Sequence, residues 1–424
     1  MMTLRLAHAM LLSVMCMLRI QTDESYSIFS AFSVPSFRFQ FSADLLVAWA
    51  IEMEVLILAW YVLVATDSPL AVAVLGALRF GGTLLSPFVG GIADRFSRKR
   101  ILLGLRAGFS LAAITLMTLG LSDWLAPWQA FVLVGFTGLL RPVDMMLRQS
   151  LIADSLPREL LTGAMSFSRM TLDSARMVGA LAGAGLMASL GIGKAYVVVS
   201  LFYVLSTLLS FGIRPITNSS TAAAEPLLGQ LKAGIEVMAR TPAIRYTLGL
   251  AFLVNLTALS ISGGLLPIVA RDVYGLDSTG LGAMVATFAG GALAGSLITV
   301  GVARYARPER IMLFSAVLWH VLLGCFAFVQ TAEVGIPLLG LIGFVSSFTM
   351  VPMSSSLLLA IPVAFRARIM GIRQLAVFGL PLGLLASGYL IEAFGVDVSF
   401  ASFAVIGIVA SVWIAWDWHR EEHA

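Results

Sequence analysis

The chain alternates between long apolar stretches and short polar interruptions over most of its length. Twelve stretches are long enough to cross a membrane, because a spanning helix needs about 20 predominantly apolar residues. Their apolar residues run continuously rather than alternating with polar ones, which predicts helices and not strands. The stretches occupy residues 42–65, 69–93, 101–121, 126–147, 159–190, 193–213, 246–269, 278–303, 311–330, 334–361, 374–394 and 397–417.

A long polar interruption divides the twelve stretches into two sets of six. It covers residues 214–245, begins as a flexible segment, and continues from Pro226 with apolar residues at helical spacing. This spacing predicts an amphipathic helix at the membrane interface. The pattern therefore predicts an all-α membrane protein with twelve transmembrane helices in two pseudo-symmetric six-helix bundles, residues 42–213 and 246–417.

The two ends of the chain do not fit the spanning pattern. The first 20 residues contain an apolar core of about ten residues, which is too short to cross a membrane. We therefore expect residues 1–41 to form a largely disordered cytoplasmic extension. Residues 418–424 are expected to form a cytoplasmic tail.

The two sets of six stretches are related in sequence. A shift of 210 residues places the segment 91–103 on the segment 301–313, with glycine, alanine, arginine, isoleucine and leucine at matching positions. The same shift carries Arg158 to Arg368. Internal repeats of this kind are typical of secondary transporters, which bind their substrate between the two repeats.

Composition supports a membrane protein and excludes several other classes. Of the 424 residues, 59% are hydrophobic and 12% are charged, whereas soluble domains have about 25% charged residues. A soluble enzyme and a disordered protein are therefore excluded. The net charge of +4 comes with no basic face for nucleic acid, and the two distant cysteines predict no disulfide.

Motifs for metal or cofactor chemistry are weak in this sequence. Residues 419–423 fit the H-x-x-E-H order of a zinc hydrolase, but they lie behind the last apolar stretch, with no following helix to hold ligands. The phosphate-binding loop of an ATP-driven pump does not occur in the sequence. We expect no metal, no cofactor and no enzymatic activity.

Basic residues in the polar loops predict the orientation of the chain. Alternate loops hold sixteen lysines and arginines, whereas the loops on the opposite side hold only Lys194 and Arg271. Because basic loops stay in the cytoplasm, both termini are predicted to be cytoplasmic in a multi-pass protein of the bacterial inner membrane. The sixteen are Arg95, Arg98, Lys99, Arg100, Arg148, Arg158, Arg214, Lys232, Arg240, Arg245, Arg304, Arg307, Arg310, Arg366, Arg368 and Arg373.

The loop between the second and third stretches carries a ten-residue motif. Its sequence, Gly90-Gly91-Ile92-Ala93-Asp94-Arg95-Phe96-Ser97-Arg98-Lys99, resembles the G-x-x-x-D-R-x-G-R-K loop of the major facilitator superfamily, with serine replacing one glycine. In that family the acid docks against the other half of the protein and stabilises the outward-open state. The resemblance therefore implies a conformational latch formed by Gly90, Gly91, Asp94, Arg95, Arg98 and Lys99.

Two further pairs of segments resemble the drug- and siderophore-exporter branch of the same superfamily. They are residues 148–159 with 176–183, and residues 365–371 with 381–383. The resemblance implies a secondary active transporter that works by alternating access, with proton-coupled efflux of a small amphiphilic or anionic molecule as its function. A proton-coupled symporter that imports a small metabolite and a lipid flippase stay open as alternatives. We expect a monomer that contacts substrate, protons and membrane lipid.

Charged residues within a spanning helix are costly, so each one is a candidate for function. In the fifth stretch Arg169, Asp173 and Arg176 lie four and three residues apart, on one helix face. They predict either a self-paired network or a cavity-lining cluster that binds substrate through the arginines and a proton through Asp173. The same face continues into Gly179 and Gly183, which suit close helix packing against the glycines of the eighth stretch.

The first stretch carries two carboxylates, Glu52 and Glu54. They point to different sides of the helix, because two residues turn it by about 200°. Glu54 shares a face with Tyr61, and a carboxyl group in an apolar cavity can exchange a proton near neutral pH. Glu54 and Glu52 are therefore candidates for proton coupling, with Tyr61 as a substrate contact. The alternative is a structural ion pair with an arginine such as Arg79.

The fourth stretch carries Arg141 and Asp144, three residues apart. Their order loosely resembles a proton-antiporter motif, which implies that Asp144 takes part in proton coupling. Arg141 is equally compatible with the latch, as a partner of Asp94. Arg106 in the third stretch is expected to extend to the membrane interface. His320 in the ninth is expected to be a hydrogen-bonded core residue rather than a proton relay.

Overall fold

The part of the chain that the structure describes is built from helices. The computed structural model describes residues 28–85, 97–214, 235–302, 307–361 and 365–422, apart from a few side chains within these ranges. No strand occurs in these ranges, and ten of their helices are long and apolar enough to cross a membrane. The predicted class, an all-helical membrane protein, is confirmed.

The helices follow one another with short connections. In chain order they are α1 (Pro35–Thr66), α2 (Pro69–Leu78), α3 (Arg98–Leu121), α4 (Pro127–Ser155), α5 (Arg158–Ser174), α6 (Ala180–Ser210), α7 (Pro242–Val254), α8 (Ser260–Gly264), α9 (Leu266–Ile268), α10 (Ser278–Val302), α11 (Pro308–Ala327), α12 (Ala332–Ala360), α13 (Arg366–Ala376), α14 (Gly379–Phe394) and α15 (Val396–Glu422). Two 3₁₀ segments, Ile28–Ser33 and Gly81–Leu85, and three π segments, Ala175–Gly179, Asn255–Leu259 and Val269–Val273, connect or extend them.

The N-terminal region differs from the sequence-based expectation. Residues 28–33 form a 3₁₀ turn and α1 begins at Pro35, so residues 28–41 are ordered and helical rather than part of a disordered extension. The reason is an aromatic cluster in which Phe32 packs edge-on against Phe41 and Phe167, with ring centroids 5.0 and 4.9 Å apart. Burial of these rings offsets the entropy lost on ordering the segment. Residues 1–27 lie outside the described ranges.

The longest apolar helical run covers Gly163–Ser210, 48 residues. At 1.5 Å per residue this run is about twice as long as the hydrocarbon layer is thick. Its helical geometry breaks at Gly191, whose φ of 73° is readily adopted by glycine. The break lies at the predicted boundary between the fifth and sixth stretches. In the linker, residues 235–240 are helical and residues 215–234 lie outside the described ranges.

The helices pack into two groups, and two pairs of helices connect one group to the other. In the N-terminal group, α6 packs against α1 and α3. In the C-terminal group, α11 packs against α12 and α15, and α12 also packs against α10. Between the groups, α2 runs along α14 and α6 runs along α10. The surface between the two groups therefore passes through these two helix pairs.

Glycines allow the closest of these helix approaches. A Cβ atom on Gly183 would lie 2.8 Å from the Cα of Met53, and one on Gly179 would lie 3.3 Å from the carbonyl oxygen of Trp49, so both glycines face α1. The expected partners in the eighth stretch pack elsewhere. Gly291 and Gly295 of α10 lie against the backbone of α12.

Gly183→Ala is expected to destabilise the protein, because the added methyl group meets the α1 backbone and the two helices must separate. Overpacking of this kind costs about 1–3 kcal/mol, more than the gain of about 1 kcal/mol for alanine over glycine in a helix. Gly185→Ala is the matched control, since a Cβ there has open space around it. Thermal unfolding in detergent should show a lower Tm for Gly183→Ala alone. Equal Tm values would contradict the close α1 contact.

Candidate functional site

Glu54 of α1 lies at the centre of a polar cluster inside the N-terminal group of helices. Its side chain is buried, although it sits in the middle of a 32-residue apolar helix. The Tyr203 hydroxyl of α6 donates a 2.7 Å hydrogen bond to Oε2 of Glu54. A guanidinium nitrogen of Arg141 on α4 lies 3.6 Å from the same oxygen. We call Glu54, Arg141 and Tyr203 the Glu54 cluster.

Further polar groups surround the Glu54 cluster. Arg79 lies close enough to interact electrostatically with Glu52, Glu54 and Arg141. The buried Tyr196 hydroxyl interacts with the same cluster, and it has no hydrogen-bond partner in the described part of the chain. Together, two carboxylates and two guanidinium groups give this region a formal charge of zero.

A break in helical structure after α2 places Arg79 beside the cluster. The α-helix ends at Leu78, and a 3₁₀ segment follows from Gly81. Gly138 of α4 permits the approach, because a Cβ there would lie 2.9 Å from the Cα of Arg79. Interrupted helices with polar groups at the break are typical of binding sites in secondary transporters.

A second buried network joins α1, α3, α4 and α6. Arg106 forms ion pairs with Asp44 and Asp144 and donates a 2.6 Å hydrogen bond to the Ser210 hydroxyl. Arg148 lies 3.2 Å from Asp44 and 3.8 Å from Asp144. We call Asp44, Arg106, Asp144 and Arg148 the Asp44 network. Two acids and two bases balance each other, as buried charges require.

This network corrects two expectations. Arg106 does not extend to the interface, because its side chain has 0% exposure and points into the helix bundle. Arg148 is not a loop residue, because α4 continues to Ser155 and holds it inside the bundle opposite Asp44. Asp144, a predicted proton-coupling residue, lies between these two arginines.

The structure describes only part of the predicted latch. Gly90, Gly91, Asp94 and Arg95 lie outside the described residues. Arg98 forms a 2.9 Å ion pair with Asp154 of α4, and Lys99 donates a 2.7 Å hydrogen bond to the carbonyl of Phe211. Arg141, expected beside either the latch or the proton site, contacts Glu54.

The predicted substrate residues of the fifth stretch lie on two helical segments. Arg169 of α5 and Arg176 of the following π segment are exposed, and nothing is described of the Asp173 side chain. Arg169 lies close enough to Arg373 of α13 to repel it electrostatically, across the boundary between the two helix groups. The Arg373 guanidinium also donates a 2.8 Å hydrogen bond to the Ser354 hydroxyl of α12.

Other predicted positions have identified surroundings. The Tyr61 hydroxyl donates a 2.6 Å hydrogen bond to the carbonyl of Leu125. Glu52 points toward the π segment of the fifth stretch, where a Cβ on Gly179 would lie 3.1 Å from its own Cβ. His320 is buried with both ring nitrogens partnered, at 2.7 Å from the Ala316 carbonyl and 2.7 Å from the Thr257 hydroxyl.

Sequence reasoning missed several members of the two clusters. The sequence pattern does not point to Tyr203, it gives Asp44 no partner, and it places Arg148 in a loop. A signal for Arg148 was present, because Asp144 and Arg148 stand four residues apart on one helix and favour an ion pair. Asp44 is also an ionisable residue inside an apolar stretch, which alone makes it a candidate.

Comparison with known proteins identifies the family. Residues 26–422 of the chain match a family of the major facilitator superfamily that is described as "Transmembrane secretion effector". The chain belongs to this family. Transmembrane secretion effectors are transporters and not enzymes, and the described helices of this one make it a multi-pass membrane protein.

Relatives of this secretion effector include curated exporters. It is 25% identical over 310 residues to the enterobactin exporter EntS of Escherichia coli O9:H4 (strain HS), covering 72% of this chain and 71% of that protein. The enterobactin exporter EntS of Shigella boydii serotype 18 matches with the same values. The predicted resemblance to the siderophore-exporter branch is confirmed.

Solved structures share the fold of this secretion effector. The POT family transporter PepTSo has a TM-score of 0.71 at 12% identity, covering 92% of this chain and 98% of that one. The nucleoside transporter NupG has a TM-score of 0.67 at 15% identity, covering 89% of this chain and 98% of that one. At such identities the likeness establishes a transporter fold.

Arg106→Met is expected to destabilise this secretion effector strongly, because Asp44 and Asp144 each lose a buried partner. Removing one member of a buried ion pair costs about 3–5 kcal/mol. Arg98→Gln is the control, since its ion pair with Asp154 is partly exposed and worth about 1 kcal/mol or less. Thermal unfolding in detergent should show a much larger fall in Tm for Arg106→Met. Similar losses in both variants would contradict the buried network.

Proposed function

We propose that this protein is a proton-coupled exporter of a small amphiphilic or anionic molecule that works by alternating access. Its two halves are residues 42–213 and 246–417, with six spanning helices each and both termini in the cytoplasm. The ten long described helices support this count. The shorter α2 adds one span, and the break at Gly191 divides the longest run into two. We further propose that it acts as a monomer surrounded by lipid.

The observation that carries the proposal is the Glu54 cluster. A carboxylate buried in an apolar helix, held by one guanidinium group and one hydroxyl group, can exist in two protonation states. Glu54 is the proposed proton carrier, and its 3.6 Å contact with Arg141 is proposed to change as α1 moves relative to α4 during transport.

Glu54 is the strongest candidate among the proposed proton-coupling residues. Asp144 lies between two arginines of the Asp44 network and forms ion pairs with both of them. Among the described residues, Glu54 has one guanidinium group within ion-pair distance, that of Arg141 at 3.6 Å. Glu52 and Asp173 stay in the proposal as secondary candidates.

The substrate site is proposed to lie between the halves, around Arg169. Arg169 and Arg373 come from opposite halves and lie close enough for their positive charges to repel each other. An anionic group bound between them removes the repulsion and gives both guanidinium groups charge-assisted hydrogen bonds. Substrate binding then favours closure around the substrate. Arg176 and Tyr61 are proposed as further substrate contacts, and Gly179 and Gly183 as packing positions.

The latch is the proposed device on the cytoplasmic side. Asp94, with Gly90, Gly91, Arg95, Arg98 and Lys99, is proposed to stabilise the outward-open state. Arg98 and Lys99 already contact α4 and the end of α6, which supports a loop anchored to its own half. Because Arg141 contacts Glu54, we assign it to the proton site and not to the latch.

One observation supports symport as a second candidate. If an anionic substrate bound Arg141 in place of Glu54, a proton and the anion would bind in the same site and move in the same direction. Exchange instead requires that proton binding at Glu54 weakens substrate binding. The direction of proton movement during transport therefore decides between exporter and importer.

Glu54→Gln is expected to abolish coupling to the pH gradient. In inverted membrane vesicles, an acidic interior should accelerate uptake of the probe enterobactin several-fold in the parent protein, because protons leave as substrate enters. In Glu54→Gln the uptake should be the same with and without the gradient. Glu333→Gln, which changes an exposed glutamate at the start of α12, is the matched control and should keep the acceleration. An acceleration that survives Glu54→Gln would contradict the assignment.

Arg169→Gln and Arg373→Gln are each expected to raise the KM for enterobactin by about tenfold, because a charge-assisted hydrogen bond is worth about 1.5–3 kcal/mol. The maximal rate should change less than KM, since the arginines bind substrate and carry no proton. Arg310→Gln, at an exposed position near the start of α11, should leave KM unchanged. Equal KM values in all of these variants would contradict the site between the halves.

A further inference from the structure

Helices α1 and α2 meet in a tight corner formed by two residues, Asp67 and Ser68. Asp67 adopts a left-handed conformation with a φ of 51°, and its N–H donates a 3.0 Å hydrogen bond to the carbonyl of Leu63, which ends α1. The Ser68 hydroxyl accepts a 3.1 Å hydrogen bond from the N–H of Ala71, which begins α2. The corner is therefore fixed by its own caps.

The opposite half contributes a cation to the end of α1. Arg271, in the π segment that follows α9, donates a 2.8 Å hydrogen bond to the Leu63 carbonyl and lies 2.6 Å from Oδ1 of Asp67. A positive charge at a helix C-terminus is favourable, because the unpaired carbonyls there carry partial negative charge. Asp272 lies 2.5 Å from the Arg271 Nε and orients the guanidinium group.

The opposite half also contributes an anion to the start of α2. Oε2 of Glu392, near the end of α14, accepts a 2.9 Å hydrogen bond from the Ser68 hydroxyl and a 3.3 Å hydrogen bond from the N–H of Leu70. A carboxylate at a helix N-terminus is favourable, because the N–H groups there carry partial positive charge. The same corner is therefore capped twice by the other half, once by a base and once by an acid.

Close packing beneath the corner completes the contact. Gly388 of α14 faces α2, where a Cβ would lie 3.4 Å from the Cα of Leu70, and Ala73 on that face of α2 is fully buried. Water and labelling reagents therefore reach Ala73 only when α2 and α14 separate. This makes Ala73 a position whose accessibility reports separation of the halves.

We propose that Arg271 and Glu392 form the periplasmic gate of this transporter by capping α1 and α2 from the opposite half. On the predicted topology the corner faces the periplasm, where Arg271 is one of only two loop cations. The gate holds the halves together on that face and must open for substrate to pass to or from the periplasm, which rests on the proposed orientation and on alternating access. It differs from the cytoplasmic latch in position and in residues, and it does not depend on proton coupling or on the nature of the substrate.

The exposure of the gate residues sets its strength. The Arg271 side chain is 24% exposed and that of Asp67 is 85% exposed, so water and salt screen the pair. Each contact is therefore weak enough to break in every transport cycle. The expected effect of losing one contact is a change of about threefold in the ratio of open to closed molecules, and about tenfold for both.

The gate can be tested by the accessibility of a cysteine at Ala73. The native Cys16 and Cys325 are replaced by serine, and Ala73→Cys is reacted with a membrane-impermeant maleimide in right-side-out vesicles, without substrate or pH gradient. Arg271→Gln and Glu392→Gln should each raise the labelling rate about threefold, and the double variant about tenfold. Lys194→Gln, which removes the other cation of the same predicted side, is the matched control and should leave the rate unchanged.

A second measurement makes the test independent of the cysteine at Ala73. Spin labels at Asp123→Cys and Glu333→Cys, two exposed positions on opposite halves and on the same predicted side, report the distance between the halves. The population at longer distance should increase in the Arg271→Gln and Glu392→Gln double variant. Unchanged labelling together with an unchanged distance distribution would overturn the gate. The proton-coupled exporter would remain untouched by that result, because neither measurement involves transport.

Discussion

The cost of placing charge in hydrocarbon governs the interior of the N-terminal half. A lone ion there is unstable, so charged side chains must meet partners of opposite sign and sufficient hydrogen-bond donors. The Asp44 network satisfies this condition with two acids and two bases drawn from α1, α3 and α4, and with a hydroxyl group from α6. The network joins four helices, and three of them, α1, α4 and α6, also hold the Glu54 cluster.

The Glu54 cluster is less completely paired than the Asp44 network. Glu54 has one guanidinium partner at 3.6 Å and one hydroxyl partner, while the Tyr196 hydroxyl beside it has no partner in the described part of the chain. Incomplete pairing of buried polar groups lowers the stability of the folded protein. The two clusters therefore differ in how completely their charges are paired, although they lie within the same set of helices.

Much of the fold follows from the apolar pattern of the sequence, because burial in lipid imposes length and continuity on each helix. The boundary between the fifth and sixth stretches, for example, was located by pattern alone and falls at Gly191. The partners of the charged residues were harder to predict. Helical spacing shows which residues share a face, but it does not show which neighbouring helix that face meets. Spacing therefore leaves two assignments open for Arg141, places Arg148 in a loop, and matches Gly291 and Gly295 of α10 with a helix other than α12, which they contact. The order of residues 28–41 was missed, since it depends on Phe167, which is distant in sequence.

The length of α1 has a mechanical consequence. Glu54 and Asp67 lie thirteen residues apart on one helix and its cap, about 20 Å along the axis. The helix between them is continuous, and the corner at its end is rigid. If α1 tilts or rotates as one helix at Glu54, the corner at its end moves with it. Glu54 and the corner that Arg271 contacts therefore lie on one continuous helix, so a displacement of α1 moves both of them.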